Sequence, residues 1–148
     1  MREGSISMEA YKKILVAVDQ SEHSDRAVLT ARDLAKLSGG RVWVFHVNEF
    51  EAVAVRGGVF NLEEPEEMRR LLKSELDVFA EQSIEAQPMV RRAPVGQAAK
   101  EIVDAAQDVS ADVIVMGSHG RAKISALFLG STAYKVLHLA DRPVLIVR

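Results

Sequence analysis

The chain has 148 residues, enough for one domain with a real core, and its charge is ordinary: net −2, with 27% charged residues. That balance gives no support for a nucleic-acid partner. The absence of cysteine excludes disulfides and thiolate metal sites and points to a reducing compartment. No apolar run reaches the roughly 18 residues of a membrane span, so no membrane partner is expected.

"MREGSISMEA" (1–10) is polar and lacks a signal-peptide core. It reads as a flexible lead-in to a cytoplasmic domain over 11–148. "KILVAVD" (13–19) is continuously apolar, the pattern of a parallel strand covered on both faces. A helix over 22–38 follows, with Ala27, Val28, Ala31, Leu34 and Ala35 on one face, Ser21 as N-cap and Gly39 as stop. "RVWVFHV" (41–47) is a second buried strand. Residues 48–64 fit neither period and read as a long loop pivoting at Gly57-Gly58.

From Pro65, suited to a first helical turn, Met68, Leu72, Leu76, Phe79 and Ala80 form the stripe of one helix. "QPMVRR" (87–92) is a weaker strand, and Pro88 assigns it to a sheet edge because proline cannot donate to a ladder. A helix over about 95–107 turns Ala99, Ile102, Val103 and Ala106 inward. "ADVIVMG" (111–117) and "PVLIVR" (143–148) complete the strands. Between them, a helix starting near Ser131 carries Val136, Leu137 and Ala140.

The order β-α-β-α-β-α-β-α-β predicts an α/β fold: a single doubly wound sheet of five parallel strands, order 3-2-1-4-5, with helices on both faces. "VLIV" then lies at the edge opposite Pro88. An exposed apolar edge invites pairing, and symmetric pairing through 143–148 would make a homodimer.

Ligands of open α/β sheets settle beyond the strand ends where the strand order reverses, here between Asp19 and Gly117. "MGSHGRAKISALFLGST" (116–132) begins at that point. Gly117 would let a ligand approach the backbone, and Gly120 would allow a turn with positive φ. Gly130-Ser131-Thr132 opens the last helix, whose free N–H groups suit an anion. Two clusters of backbone donors facing one crevice make a cradle for a polyphosphate, with His119, Arg121 and Lys123 adding charge at its rim. Glycine after a strand and Gly-Ser before a helix are also ordinary loop punctuation. The residues alone leave both readings open.

The spacing Gly117-x2-Gly120-x9-Gly130-Ser131 resembles the nucleotide-binding signature of the universal stress protein family at every position. "YKKILVAVDQSEHS", "VFHV" and "RPVLIVR" are similar to that family's first, second and last strands, so the resemblance covers about 11–148. It implies the strand order 3-2-1-4-5 and a homodimer paired through the last strand. In the ATP-binding branch it implies that Asp19 holds the ribose and Val47 meets the adenine through its backbone. Ala17 and Met116 would line the base pocket, and Gly117 would contact the sugar. His119, Gly120, Gly130, Ser131 and Thr132 would surround the phosphates, with Mg²⁺ carried by them. Gln20 stands where many members carry glycine.

Single residues also have plainer roles. Asp19 can cap the turn or helix that follows it. His46 lies in an apolar run and reads as a satisfied core histidine, while His23 and His138 read as surface or partly buried. No pair among the four histidines has metal-ligand spacing. Ser118, His119 and Asp19 suggest a hydrolase, but the Gly-x-Ser-x-Gly elbow of that class is missing. The expected function is therefore a homodimeric, ATP-binding stress-response sensor or regulator, with hydrolysis slow or absent and no catalytic residues assigned. The alternatives are an interaction module whose glycine loop is structural, an AMP or cyclic-nucleotide binder, and a nucleotide hydrolase or transferase.

Overall fold

A computed structural model of the chain describes residues 8–51, 64–120 and 128–148. The strands are β1 (Lys13–Ala17), β2 (Arg41–Phe50), β3 (Ala86–Pro94), β4 (Val113–Gly117) and β5 (Val144–Val147). All pair in parallel, in the order β3-β2-β1-β4-β5. The helices are α1 (Glu22–Ser38), α2 (Pro65–Leu71), α3 (Lys73–Ala80), α4 (Ala98–Asp108) and α5 (Ser131–Leu139). A single 3₁₀ turn over Met8–Tyr11 precedes β1 and occupies the end of the lead-in; its residues 1–7 lie outside the described part.

The continuous apolar runs feed two cores at once. Successive strand side chains point to opposite faces. Ile14, Val16, Val42, Val44, Val113 and Val115 therefore pack under α1 and α3, with Ala27, Ala31, Ala35, Leu72 and Phe79. Leu15, Trp43, Phe45, Ile114 and Met116 enter the other core, with Ala99, Ile102, Val103, Ala106, Ala133 and Val136 of α4 and α5. From β1 the chain winds outward to β2 and β3, then returns across β1 to β4 and β5. The crevice between β1 and β4 is the reversal point.

Local chemistry fixes the ends of α1. Ser21 Oγ accepts the Ser24 N–H at 3.2 Å, and Gly39 closes the helix in the left-handed region at φ 68°. The end of α4 and the turn that follows it are held from outside. Arg142 donates to Ala106 O at 3.0 Å and to Ala111 O at 2.7 Å.

Several expected boundaries shift. β1 ends at Ala17 rather than Asp19, β4 starts at Val113, and α4 spans Ala98–Asp108. Residues 48–50 belong to β2, not to a loop, because Asn48–Phe50 continue the ladder with Arg92–Pro94. Of the rest of the proposed loop, residues 52–63, including Gly57-Gly58, lie outside the described residues. The helix expected from Pro65 divides at Leu72, whose φ of −104° and ψ of 20° leave the helical region while its side chain is fully buried. Ala80 and Leu137 face solvent, and only Val136 of the last helix's expected stripe is fully inward, since a nine-residue helix on one sheet edge buries a narrow face.

Candidate functional site

The crevice begins where β1 stops. Val18 donates the last bond of β1 to Phe45 O at 2.8 Å. Backbone groups alternate sides along a strand, so Val47 is the next β2 residue whose N–H and C=O point that way, beyond the end of β1. Asp19 follows, with Oδ1 accepting the Ser21 N–H at 3.0 Å. Both readings of Asp19 therefore meet in one side chain: it fixes the turn, and it lines the crevice. Gln20 sits at φ 66°, a left-handed conformation that costs a non-glycine residue about 1–2 kcal/mol.

Across the crevice, residues 117–120 form the first bend. Ser118 is pinned on both sides: its N–H donates to Val147 O at 2.8 Å, and its carbonyl accepts the Gly130 N–H at 2.7 Å. That second bond brings the two glycine bends together. A Cβ on Gly130 would stand 3.0 Å from Ser118 O, 3.2 Å from His119 Cα and 3.7 Å from Gly120 N. The Gly130 N–H is thus not among the free donors; this residue contributes its lack of a side chain. The N–H groups of Ser131, Thr132 and Ala133 head α5 with no side chain capping them.

Three expectations for this region are corrected. Gly120 is not in the left-handed region; its close neighbour is the end of the Asp19 side chain, whose Oδ2 would lie 2.9 Å from a Cβ and would have to swing aside. Gly117 does not make room for a ligand: the space of its missing Cβ is taken by His23, whose Cβ and backbone carbon would be 2.7 and 2.8 Å away. His119 is not at a solvated rim but buried, 9% exposed, with its ring centre 5.1 Å from that of His23. Arg121 and Lys123 lie outside the described residues.

One cavity of about 610 Å³ collects all ten residues singled out above: Ala17, Asp19, Val47, Met116, Gly117, His119, Gly120, Gly130, Ser131 and Thr132. Its volume lies within the range of small-molecule sites. Ala17, Phe45, Val47, Ala98, Ile102 and Met116 give it an apolar side, while Asp19 and the two bends give it a polar one. Phe45, Ala98 and Ile102 also line it and were not among the residues the sequence singled out for the site. The placing of Ala98 and Ile102 on one face of the first two turns of the helix after β3 is the signal that could have found them.

His46 has the partner a core histidine needs: its Nδ1 lies 2.8 Å from Val18 O, although the ring is half-buried at the cavity wall. His138 is exposed and pairs with Tyr134 Oη at 2.9 Å. Ser118 Oγ and His119 Nδ1 are 2.9 Å apart. The other nitrogen, Nε2, is buried without a hydrogen-bond partner among the described residues, so none of their carboxylates orients the ring as a catalytic triad requires. Among the described residues no three His, Cys, Asp or Glu side chains gather as metal ligands, and no helix is long and apolar enough to cross a membrane.

The model of the Universal stress protein family matches residues 10–148. A universal stress protein of Thermus aquaticus is 34% identical over 148 residues, covering 93% of this chain and 99% of its own length. Among solved structures, a universal stress protein from Archaeoglobus fulgidus superposes with TM-score 0.71 at 28% identity, covering 93% of this chain and 99% of that one. A universal stress protein from the same organism, in complex with dAMP, gives TM-score 0.67 at 26% identity, covering 94% of this chain and 99% of that one.

Proposed function

From the premise that this chain belongs to the universal stress protein family, we propose that it binds an adenine nucleotide, ATP in the first instance, in the crevice between β1 and β4. The observation that carries the reading is the meeting of the 117–120 bend with the open head of α5. Backbone donors and the positive end of a helix converge there, a fit for an anionic group such as a phosphate. That a relative of 26% identity is described in complex with dAMP supports the adenine assignment.

Ala17 and Met116 flank the base, and the Val47 backbone offers it one donor and one acceptor. Asp19 takes the ribose hydroxyls, with Gly117 beside the sugar. His119, Gly120, Gly130, Ser131 and Thr132 form the phosphate end. Mg²⁺ is a hard ion that keeps phosphate and water oxygens as ligands, so it arrives with the nucleotide. Hydrolysis is slow in this reading, because the Ser118–His119 pair lacks an orienting carboxylate among the described residues.

Two copies pair through β5. This edge strand leaves Leu145 40% exposed, and an apolar edge is stable when a partner strand covers it. The dimer then works as a stress-response sensor whose nucleotide state is read by partners.

Isothermal titration with ATP, AMP and adenosine, with Mg²⁺ present, tests the proposal. ATP and AMP should bind at least about 10-fold more tightly than adenosine, the equivalent of one charge-assisted hydrogen bond. No binding at millimolar ATP would refute it. Several ATP turnovers per second, lost in His119→Ala, would overturn the slow-hydrolysis part and make the protein a hydrolase.

A further inference from the structure

We infer that His23 and His119 form a site for a borderline divalent transition metal, Zn²⁺ being the probe of choice, at the phosphate end of the crevice. The sequence hides the pair, since the two residues come from α1 and from the bend after β4. In the fold their rings are neighbours, with centres 5.1 Å apart and planes inclined at 47°.

Each ring carries a buried nitrogen with no hydrogen-bond partner among the described residues, His23 Nδ1 and His119 Nε2. Buried polar atoms without partners are rare, and an ion is one of the few ordinary explanations. Two of them on touching rings is a sharper signal than either alone. The spacing also fits. Two imidazoles on one tetrahedral metal, each bonded at 2.0–2.1 Å, have ring centres about 5 Å apart.

The surroundings supply what a ligating histidine needs. A second-shell partner must hold the other ring nitrogen so that the metal-facing one keeps its lone pair. Ser118 Oγ, buried and 2.9 Å from His119 Nδ1, is that partner when Nδ1–H donates to it. Ser118 is itself immobile, clamped through its N–H to Val147 and through its carbonyl to Gly130. Gly117 completes the arrangement: only without a Cβ there can His23 come so close. Two imidazoles suit Zn²⁺, Cu²⁺ or Ni²⁺ and not Mg²⁺.

Two histidines alone do not fill a tetrahedral shell, and the cavity that His119 lines is the source from which water or a phosphate oxygen would complete it. That last element rests on the nucleotide reading; the metal site itself does not. By reciprocity, Zn²⁺ and ATP should then raise each other's affinity by the same factor.

The test begins without nucleotide, on the intact protein with its histidine side chains ¹⁵N-labelled. The first equivalent of Zn²⁺ should shift His23 Nδ1 and His119 Nε2 and leave His46 unchanged. Titration calorimetry should give one site, weakened at least about 10-fold in both His23→Gln and His119→Gln and retained in His138→Gln. The ring signals of the unsubstituted protein decide the matter even if a variant folds poorly. No binding at about 1 mM Zn²⁺, or a first equivalent that leaves both rings unmoved, overturns the site. A metal site that binds Zn²⁺ in a protein indifferent to ATP would leave the inference standing and refute the nucleotide reading instead.

Discussion

Replacing Gly130 with alanine separates the role of this glycine in the fold from its role in the crevice. Its φ of −61° and ψ of 153° are open to any residue, so the substitution introduces no backbone strain. The whole effect comes from a methyl group placed 3.0 Å from Ser118 O and 3.2 Å from His119 Cα. Ser118 O cannot retreat freely, because it already accepts the Gly130 N–H at 2.7 Å. The two bends must part by a few tenths of an ångström. Overpacking of this mild kind costs about 1 kcal/mol, or roughly 3 °C in Tm. Binding should suffer more. A hydrogen bond to a charged group contributes about 1.5–3 kcal/mol, so misaligning one donor lowers ATP affinity about 10- to 100-fold. Thermal melts and titration calorimetry on the same sample measure both. A variant that melts about 3 °C lower yet binds ATP within about twofold of the parent would refute the convergence argument.

Other substitutions probe separate parts of the account. Gln20→Gly relieves the left-handed strain at φ 66° and should stabilise the protein by about 1 kcal/mol, seen as a higher urea midpoint at unchanged slope. Arg142→Ala removes both bonds to the Ala106 and Ala111 carbonyls and should destabilise by about 2 kcal/mol. Equal denaturant midpoints for the two proteins would show that water replaces the guanidinium without loss. Leu145→Asp places a charge on the exposed face of β5 and should convert a dimer to a monomer in sedimentation velocity; a dimer that persists would place the interface elsewhere.

The fold was legible where one physical cause dominated. Runs such as Ile14–Val18 and Val113–Met116 are apolar at successive positions because the sheet has a core on each face. Pro88 marked β3 as an edge because it cannot donate to a second ladder. The glycine spacing located both bends. What stayed hidden depends on residues distant in sequence. Gly117 answers to His23, and Gly120 to Asp19, so a close approach across the crevice was read as freedom for a ligand or for φ. The extension of β2 through Asn48–Phe50 was missed because those side chains are exposed and polar in part, while the ladder that defines them is made by backbone alone. Leu72 looks like any stripe residue, and nothing in its neighbours announces that the helix divides there.

The most direct test of the central claim is an amide NMR titration of the protein with ATP. The claim predicts that the N–H signals of Gly120, Ser131 and Thr132 move together, and further than the rest, as the phosphates accept their hydrogen bonds. Saturable ATP binding that leaves those three amides in place would contradict it.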